Sequence, residues 1–173
     1  MSLLSRIVGL LQIDSTVGDL AGNAKRLEEL ANLAKDNSAS MAVATELAVC
    51  GYPPRDLLLQ PDFVTSSYAT AKSLKVGIPI LVGAPIPPED DRYLPGNGVV
   101  RAGDLHASPN GDNTNRVVGR KQLLPSYDVF DETRYFSPAS RSGICRSIGE
   151  VDLGVTICED AWQAAGLTPS TYG

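Results

Sequence analysis

The apolar and polar positions of this chain follow two periods, and the changes between them mark out its elements. Residues 6–13 (Arg-Ile-Val-Gly-Leu-Leu-Gln-Ile) are almost continuously apolar and end at Asp14-Ser15-Thr16, the pattern of a buried strand. Apolar side chains then recur at helical spacing, at Leu20, Ala24, Leu27, Ala31 and Ala34, and predict a helix over 20–36 with Asp19 as its cap. Residues 41–45 form a second short strand, with Glu46 at its end. Gly51-Tyr52-Pro53-Pro54 breaks the pattern, and Pro54 suits the first turn of a short helix over 55–59. A further helix is expected over 62–74 and a third strand over 78–84, despite Pro79 near its start.

The second half reads as strands joined by polar segments. The stretch 85–96 is rich in proline and acid and is expected as a surface loop. Residues 98–102 and 116–120 resemble the arms of a hairpin, separated by a polar stretch (103–115) long enough to be expected as a mobile insertion. A last strand pair is expected at 144–148 and 153–157. The order β-α-β-α-β-β-β-β-β implies an α/β protein with helices over one face of a mixed sheet.

Composition narrows the chemistry. At 173 residues, 43% hydrophobic and 20% charged, the chain fits one domain with a real core. Its net charge of −5 and the lack of a basic cluster argue against nucleic-acid binding. Cys50, Cys145 and Cys158 are odd in number and lack CxxC spacing, and His106 is the single histidine. The expectation is a reduced, cytoplasmic protein with no disulfide framework, no metal centre, no signal peptide and no membrane span.

One position carries reactive potential. In Asp152-Leu153-Gly154-Val155-Thr156-Ile157-Cys158-Glu159-Asp160 an apolar run ends abruptly at a cysteine, followed by acids suited to a helix start. That is the strand-to-helix turn on which many enzymes mount a nucleophile. A helix N-terminus and a nearby ammonium would lower the thiol's pKa. With no histidine nearby in the pattern, the base must be a carboxylate or a lysine. Glu46 and Lys121 both follow predicted strands, so Glu, Lys and Cys make a complete acyl-transfer set: base, oxyanion stabiliser and nucleophile. Taken singly, Glu46 also fits a solvated turn glutamate, Lys121 a surface lysine and Cys158 a buried structural thiol.

The flanking segments resemble the nitrilase (carbon–nitrogen hydrolase) superfamily, and within it the glutaminase domains of glutamine-dependent NAD synthetases. The resemblance is carried by Val17–Asn23, Glu46-Leu47-Ala48, Gly51–Leu58, Arg120–Glu132 and Ile157–Trp162, and covers nearly the whole chain. It implies an α-β-β-α sandwich, with Glu46 as general base, Lys121 as oxyanion stabiliser and Cys158 forming a glutamyl thioester. It further implies Tyr127, Glu159 and Phe130 as substrate-binding candidates and Glu132 as a carboxylate that orients Lys121. Thr45, Cys50 and Ser126 stand where the family usually has proline, threonine or serine, and asparagine.

The resemblance also implies L-glutamine as substrate, a synthetase domain or subunit as partner, and a homo-oligomer in the full enzyme. ATP, Mg and deamido-NAD would belong to that synthetase part, because residues 1–173 contain no phosphate-binding glycine-rich loop. The family's glutaminase domain continues well past the nucleophile, so these residues are expected to be a partial carbon–nitrogen hydrolase domain. The alternatives are a stand-alone nitrilase-type amidase acting on another small amide, and an inactive truncated fragment.

Overall fold

The computed structural model describes residues 7–88, 93–103, 117–140, 143–148 and 151–162. The expected insertion at 103–115 therefore falls, beyond Gly103, outside the described residues, as does His106. The chain runs β1 (Ile7–Leu11), α1 (Leu20–Asp36), β2 (Ala39–Ala44), a 3-10 turn (Arg55–Leu59), α2 (Pro61–Ser73), β3 (Ile80–Ile86), β4 (Gly96–Ala102) and β5 (Val117–Arg120). A 3-10 turn (Glu132–Arg134), β6 (Gly143–Ile148), β7 (Val151–Val155) and a last 3-10 turn (Cys158–Trp162) follow.

Five strands form one mixed sheet in the order β1-β2-β3-β4-β5. β1, β2 and β3 are parallel, while β4 and β5 add on antiparallel. The helices cover one face. Asp19 caps α1 by accepting the Gly22 N–H at 2.9 Å, and Leu27 and Ala31, one turn apart, lie fully buried against Ala42, Ile80, Val82 and Val100. On the other face lies the two-stranded antiparallel sheet β6–β7. Leu153 and Val155 of β7 pack there on Met41, Val43, Leu81, Val99 and Val118. Helix layer, large sheet and small sheet thus stack in that order, the layering expected of a nitrilase-type sandwich.

Two expectations are corrected. β1 is not a buried strand. It is the sheet's edge, with Ile7, Val8 and Leu10 exposed and only Leu11 buried. An apolar run signals strand but not whether both faces are covered, and the small sheet packs on β2 to β5 instead. The stretch 85–96 is not wholly a loop either. β3 continues through Pro85 and Ile86, which pair with Asn97 and Gly96 of β4. Proline is tolerated because β2 pairs with β3 only at Ile80 and Leu81, so no ladder bond is asked of the Pro85 nitrogen.

Candidate active site

The segments that follow β2, β5 and β7 gather the chemistry. After Ala44 the chain does not continue along β3 but folds into a tight turn. Leu47 adopts a φ of +49°, and the Cys50 and Gly51 N–H groups donate to the Leu47 carbonyl at 3.0 and 2.9 Å. Leu47, Ala48, Val49 and Cys50 are all buried, so an apolar plug anchors the turn that presents Glu46. Gly83 of β3 makes this possible. A Cβ there would lie 2.6 Å from the Thr45 carbonyl oxygen and 2.8 Å from the Glu46 carbonyl carbon, so only glycine lets the turn sit against the strand.

Lys121 follows β5 and is held through its main chain. Its N–H donates to the Asn97 carbonyl at 2.8 Å, and its carbonyl accepts from the Ala139 N–H at 2.9 Å. Its side chain is fully buried, which no surface lysine would tolerate. Nζ donates to Glu46 Oε1 at 2.8 Å and to Glu132 Oε1 at 2.9 Å. Glu132 reaches the site from a 3-10 turn tied back by its N–H to the Pro125 carbonyl at 3.0 Å, and is itself buried. Two carboxylates and one ammonium thus share a site largely closed to water, with a net charge of −1.

Cys158 completes the cluster from the end of the small sheet. Its φ of +47° marks the sharp turn the sequence suggested, and its side chain is exposed, so it is not a buried structural thiol. Together with Glu46, Asn97, Gly83 and Val155 it lines a cavity of about 130 Å³. Asp160 pins this turn to the lysine segment. Its carboxylate accepts from the Gln122 and Leu123 N–H groups at 3.0 and 2.9 Å, and from the Ile157 N–H at 3.3 Å.

The charges set the protonation states. Burial alone would push the Lys121 ammonium down, but Glu46 and Glu132 together outweigh it and hold its pKa above the ordinary lysine value. Burial pushes the Glu132 carboxyl up, against the pull of its bond to Lys121. The Cys158 thiol is also pushed up, first by partial desolvation at the cavity wall and then by the Glu46 charge, with Lys121 opposing. This corrects the expectation of a lowered thiol pKa. The turn after Cys158 is a five-residue 3-10 segment, and desolvation together with the Glu46 charge outweighs one ammonium. At neutral pH the resting residue is a thiol that must lose its proton to a base. Cys50 is unsuited to such chemistry: it is buried, and its thiol is pushed up to about 12.

The structure thus brings Glu46, Lys121, Glu132 and Cys158 to one place from three distant segments, Lys121 and Glu132 lying in the same one. None of the three substrate-binding candidates lines the cavity shared by Glu46 and Cys158. The Tyr127 hydroxyl donates to Glu159 Oε2 at 2.9 Å, and Phe130 meets Tyr127 edge-on at 5.8 Å. Glu159, buried although it neighbours Cys158, borders a cleft of about 240 Å³ with Leu123 and Thr133. Phe130 borders another of about 550 Å³ with Tyr52, Arg55 and Glu132. Three partners escaped the sequence reading: Tyr52, whose hydroxyl donates to Glu132 Oε1 at 2.9 Å, Asn97, whose Nδ2 donates to Glu46 Oε1 at 2.7 Å, and the Asp160 tie. Asp160 alone had a signal, an acid two residues past the nucleophile turn.

Among the described residues, no group of three or more His, Cys, Asp or Glu side chains could hold a metal ion, and no helix is long and apolar enough to cross a membrane.

Comparison with known proteins agrees with this architecture. No family model matches the chain. A glutamine-dependent NAD(+) synthetase from Thermotoga maritima is 35% identical over 161 residues, which are 90% of this chain and 26% of that protein. The structure of glutamine-dependent NAD+ synthetase from Acinetobacter baumannii superposes with a TM-score of 0.71 at 30% identity, covering 90% of this chain and 28% of that one. The amidase of Nesterenkonia AN1, from the nitrilase superfamily, superposes with a TM-score of 0.66 at 20% identity, covering 90% of this chain and 56% of that one. The chain therefore spans about a quarter of the length of the synthetases it matches.

Proposed function

The chain is a relative of the glutamine-dependent NAD synthetases with a nitrilase-superfamily fold, and on that premise we propose that it carries their glutamine-cleaving site. Glutamine is hydrolysed to glutamate, and the ammonia passes to ATP-dependent NAD synthesis from deamido-NAD. ATP, Mg and the dinucleotide are assigned to a synthetase domain or subunit outside these residues. The proposed location is the cytoplasm. The observation that carries the reading is the fully buried Lys121, bonded to two carboxylates at the cluster that Cys158 completes.

The chemistry runs as follows. Cys158 Sγ attacks the side-chain amide carbon of glutamine while the thiol proton moves to the Glu46 carboxylate. The carbonyl oxygen becomes an oxyanion, stabilised by Lys121; two of the ammonium's three donors already face carboxylates and the third serves this oxygen. As the C–N bond breaks, Glu46 returns the proton to the leaving nitrogen, which departs as ammonia and leaves a glutamyl thioester. Water then attacks the thioester, giving a proton to Glu46. The C–S bond breaks, the proton returns to sulfur, and glutamate leaves. Glu132 neutralises and aims Lys121 throughout, itself steadied by Tyr52. Tyr127, Glu159 and Phe130 hold the amino-acid end of the substrate.

The test is steady-state ammonia release from glutamine and from simple aliphatic amides, with Cys158→Ala as control. The expected result is a strong preference for glutamine, abolished in Cys158→Ala, while ammonia-dependent NAD synthesis by the full-length protein survives. Equal turnover of glutamine and an aliphatic amide would point instead to a stand-alone amidase. Equal loss of ammonia-dependent synthesis would make Cys158 a structural residue.

A further inference from the structure

Asn97 is the second residue of β4, and only 1% of it is exposed. It touches both charged partners of the triad. Its side-chain Nδ2 donates to Glu46 Oε1 at 2.7 Å, and its main-chain carbonyl accepts the Lys121 N–H at 2.8 Å. Lys121 Nζ donates to that same Glu46 oxygen at 2.8 Å. Among the described residues, both hydrogen bonds to the Glu46 carboxylate thus fall on Oε1. Asn97 Oδ1, meanwhile, is buried with no hydrogen-bond partner among those residues. A packed apolar side chain would avoid that penalty, so the amide's use here lies in its donor.

We propose that Asn97 is a positioning residue that commits Oε1 of Glu46 to holding Lys121 and leaves Oε2 to exchange the proton of Cys158. The proposal rests on the reading of Glu46 as the base. Two donors on one oxygen stop the carboxylate from turning about its last torsion and draw charge to that oxygen. The other oxygen stays free to accept a proton. Asn97, Glu46 and Cys158 line one cavity, so the arrangement is assembled where the thiol proton must go. Without the Nδ2 donor, either oxygen of Glu46 could pair with Lys121, and the ammonium and the proton would compete for the same atom.

The test separates this role from general structural support. Iodoacetamide alkylates sulfur with loss of iodide. Below the thiol's pKa the reaction is aided by a base that takes the thiol proton; well above it the thiolate reacts unaided. Alkylation is followed on the Cys158 peptide by mass spectrometry, in the wild-type protein, Asn97→Ala and Asn97→Asp. In Asn97→Ala the rate at neutral pH falls by about tenfold, on the scale of one charge-assisted hydrogen bond, while the alkaline plateau is unchanged. Asn97→Asp, which sets a second carboxylate against Glu46, is slower still at neutral pH. It regains ground against the wild type on acidification, when the new carboxyl is protonated and donates again. In glutamine hydrolysis, kcat of Asn97→Ala falls by about tenfold to a hundredfold with KM little changed.

A flat ratio of variant to wild type across pH, or equal losses at neutral pH and on the plateau, overturns the proposal. A wild type that releases no ammonia from glutamine would sink the glutaminase reading alone, because the alkylation contrast does not depend on the substrate. Should Asn97→Ala fail to fold, Asn97→Asp, closest in shape, carries the test through its acid recovery.

Discussion

The two faces of the large sheet are built on different principles. The helix face is local and dry: Leu27, Ala31, Ala42, Ile80 and Val82 close over one another, and neighbouring elements supply them. The opposite face is assembled from far apart. Its apolar part joins Met41 and Leu81 to Leu153 and Val155. The polar cluster ties Glu46 to Lys121 across 75 residues of sequence and Tyr52 to Glu132 across 80. The first arrangement supplies stability to a scaffold. The second spends some of it, holding one ammonium and two carboxylates largely out of water, an arrangement seldom favourable for stability on its own. Such a cluster is understandable as equipment for a reaction.

If that division is right, mutations on the two faces will separate stability from activity. Lys121→Met has the largest expected effect. It leaves the buried Glu132 and the half-buried Glu46 without their cation, lowering stability by about 3–5 kcal/mol in thermal or denaturant unfolding. It also removes the oxyanion donor, lowering kcat by about a hundredfold to a thousandfold. Leu27→Ala should cost a comparable 2–5 kcal/mol, roughly what a truncated core leucine costs, yet keep kcat near wild type below its melting temperature. A large fall in its kcat would mean that the helix face does more than support. Gly83→Ala falls between the faces. Its methyl group meets the main chain of the Glu46 turn, so kcat should drop by about tenfold or more through misplacement of the base. Tyr52→Phe is the mildest, losing one bond to Glu132 and about 1 kcal/mol, with a kcat loss of roughly threefold to tenfold.

The thiol supplies a sharper separation, because its two charged neighbours act on it in opposite directions. Alkylation of Cys158 should climb with pH through a midpoint above the ordinary thiol range. Glu46→Gln removes a negative charge, favours the thiolate and moves the midpoint down. Lys121→Met removes the positive charge and moves it up. Glu46→Gln should therefore lower the midpoint yet remove both the base-aided alkylation below it and amide hydrolysis. Neutral-pH alkylation undiminished in Glu46→Gln would contradict the role of Glu46 as proton carrier.

Legibility in the sequence followed the same division. The helices and their buried stripe could be read from spacing alone, because a helix face is a local pattern. Glu46, Lys121 and Cys158 stood out because each ends an apolar run. The full burial of Lys121 was invisible, since nothing beside it in sequence differs from a surface lysine. Asn97 was equally hidden, lying between two glycines of an apolar strand with its partner 51 residues away. β1 misled for a related reason: its composition gives the strand but not its place at the edge, which depends on where β7 packs. The thiol's pKa was read with the wrong sign because desolvation of the sulfur and the Glu46 charge beside it enter the balance only once the chain has folded.

The central claim is that Cys158 forms a covalent acyl intermediate by giving its proton to Glu46. It is tested most directly by quenching the full-length protein in acid during turnover of glutamine and measuring its intact mass and that of the Cys158 peptide. The account predicts a glutamyl adduct on Cys158 that is absent from Cys158→Ala and does not build up in Glu46→Gln. Ammonia release continuing with Cys158 unmodified, or an adduct forming as quickly without the Glu46 carboxylate, would contradict it.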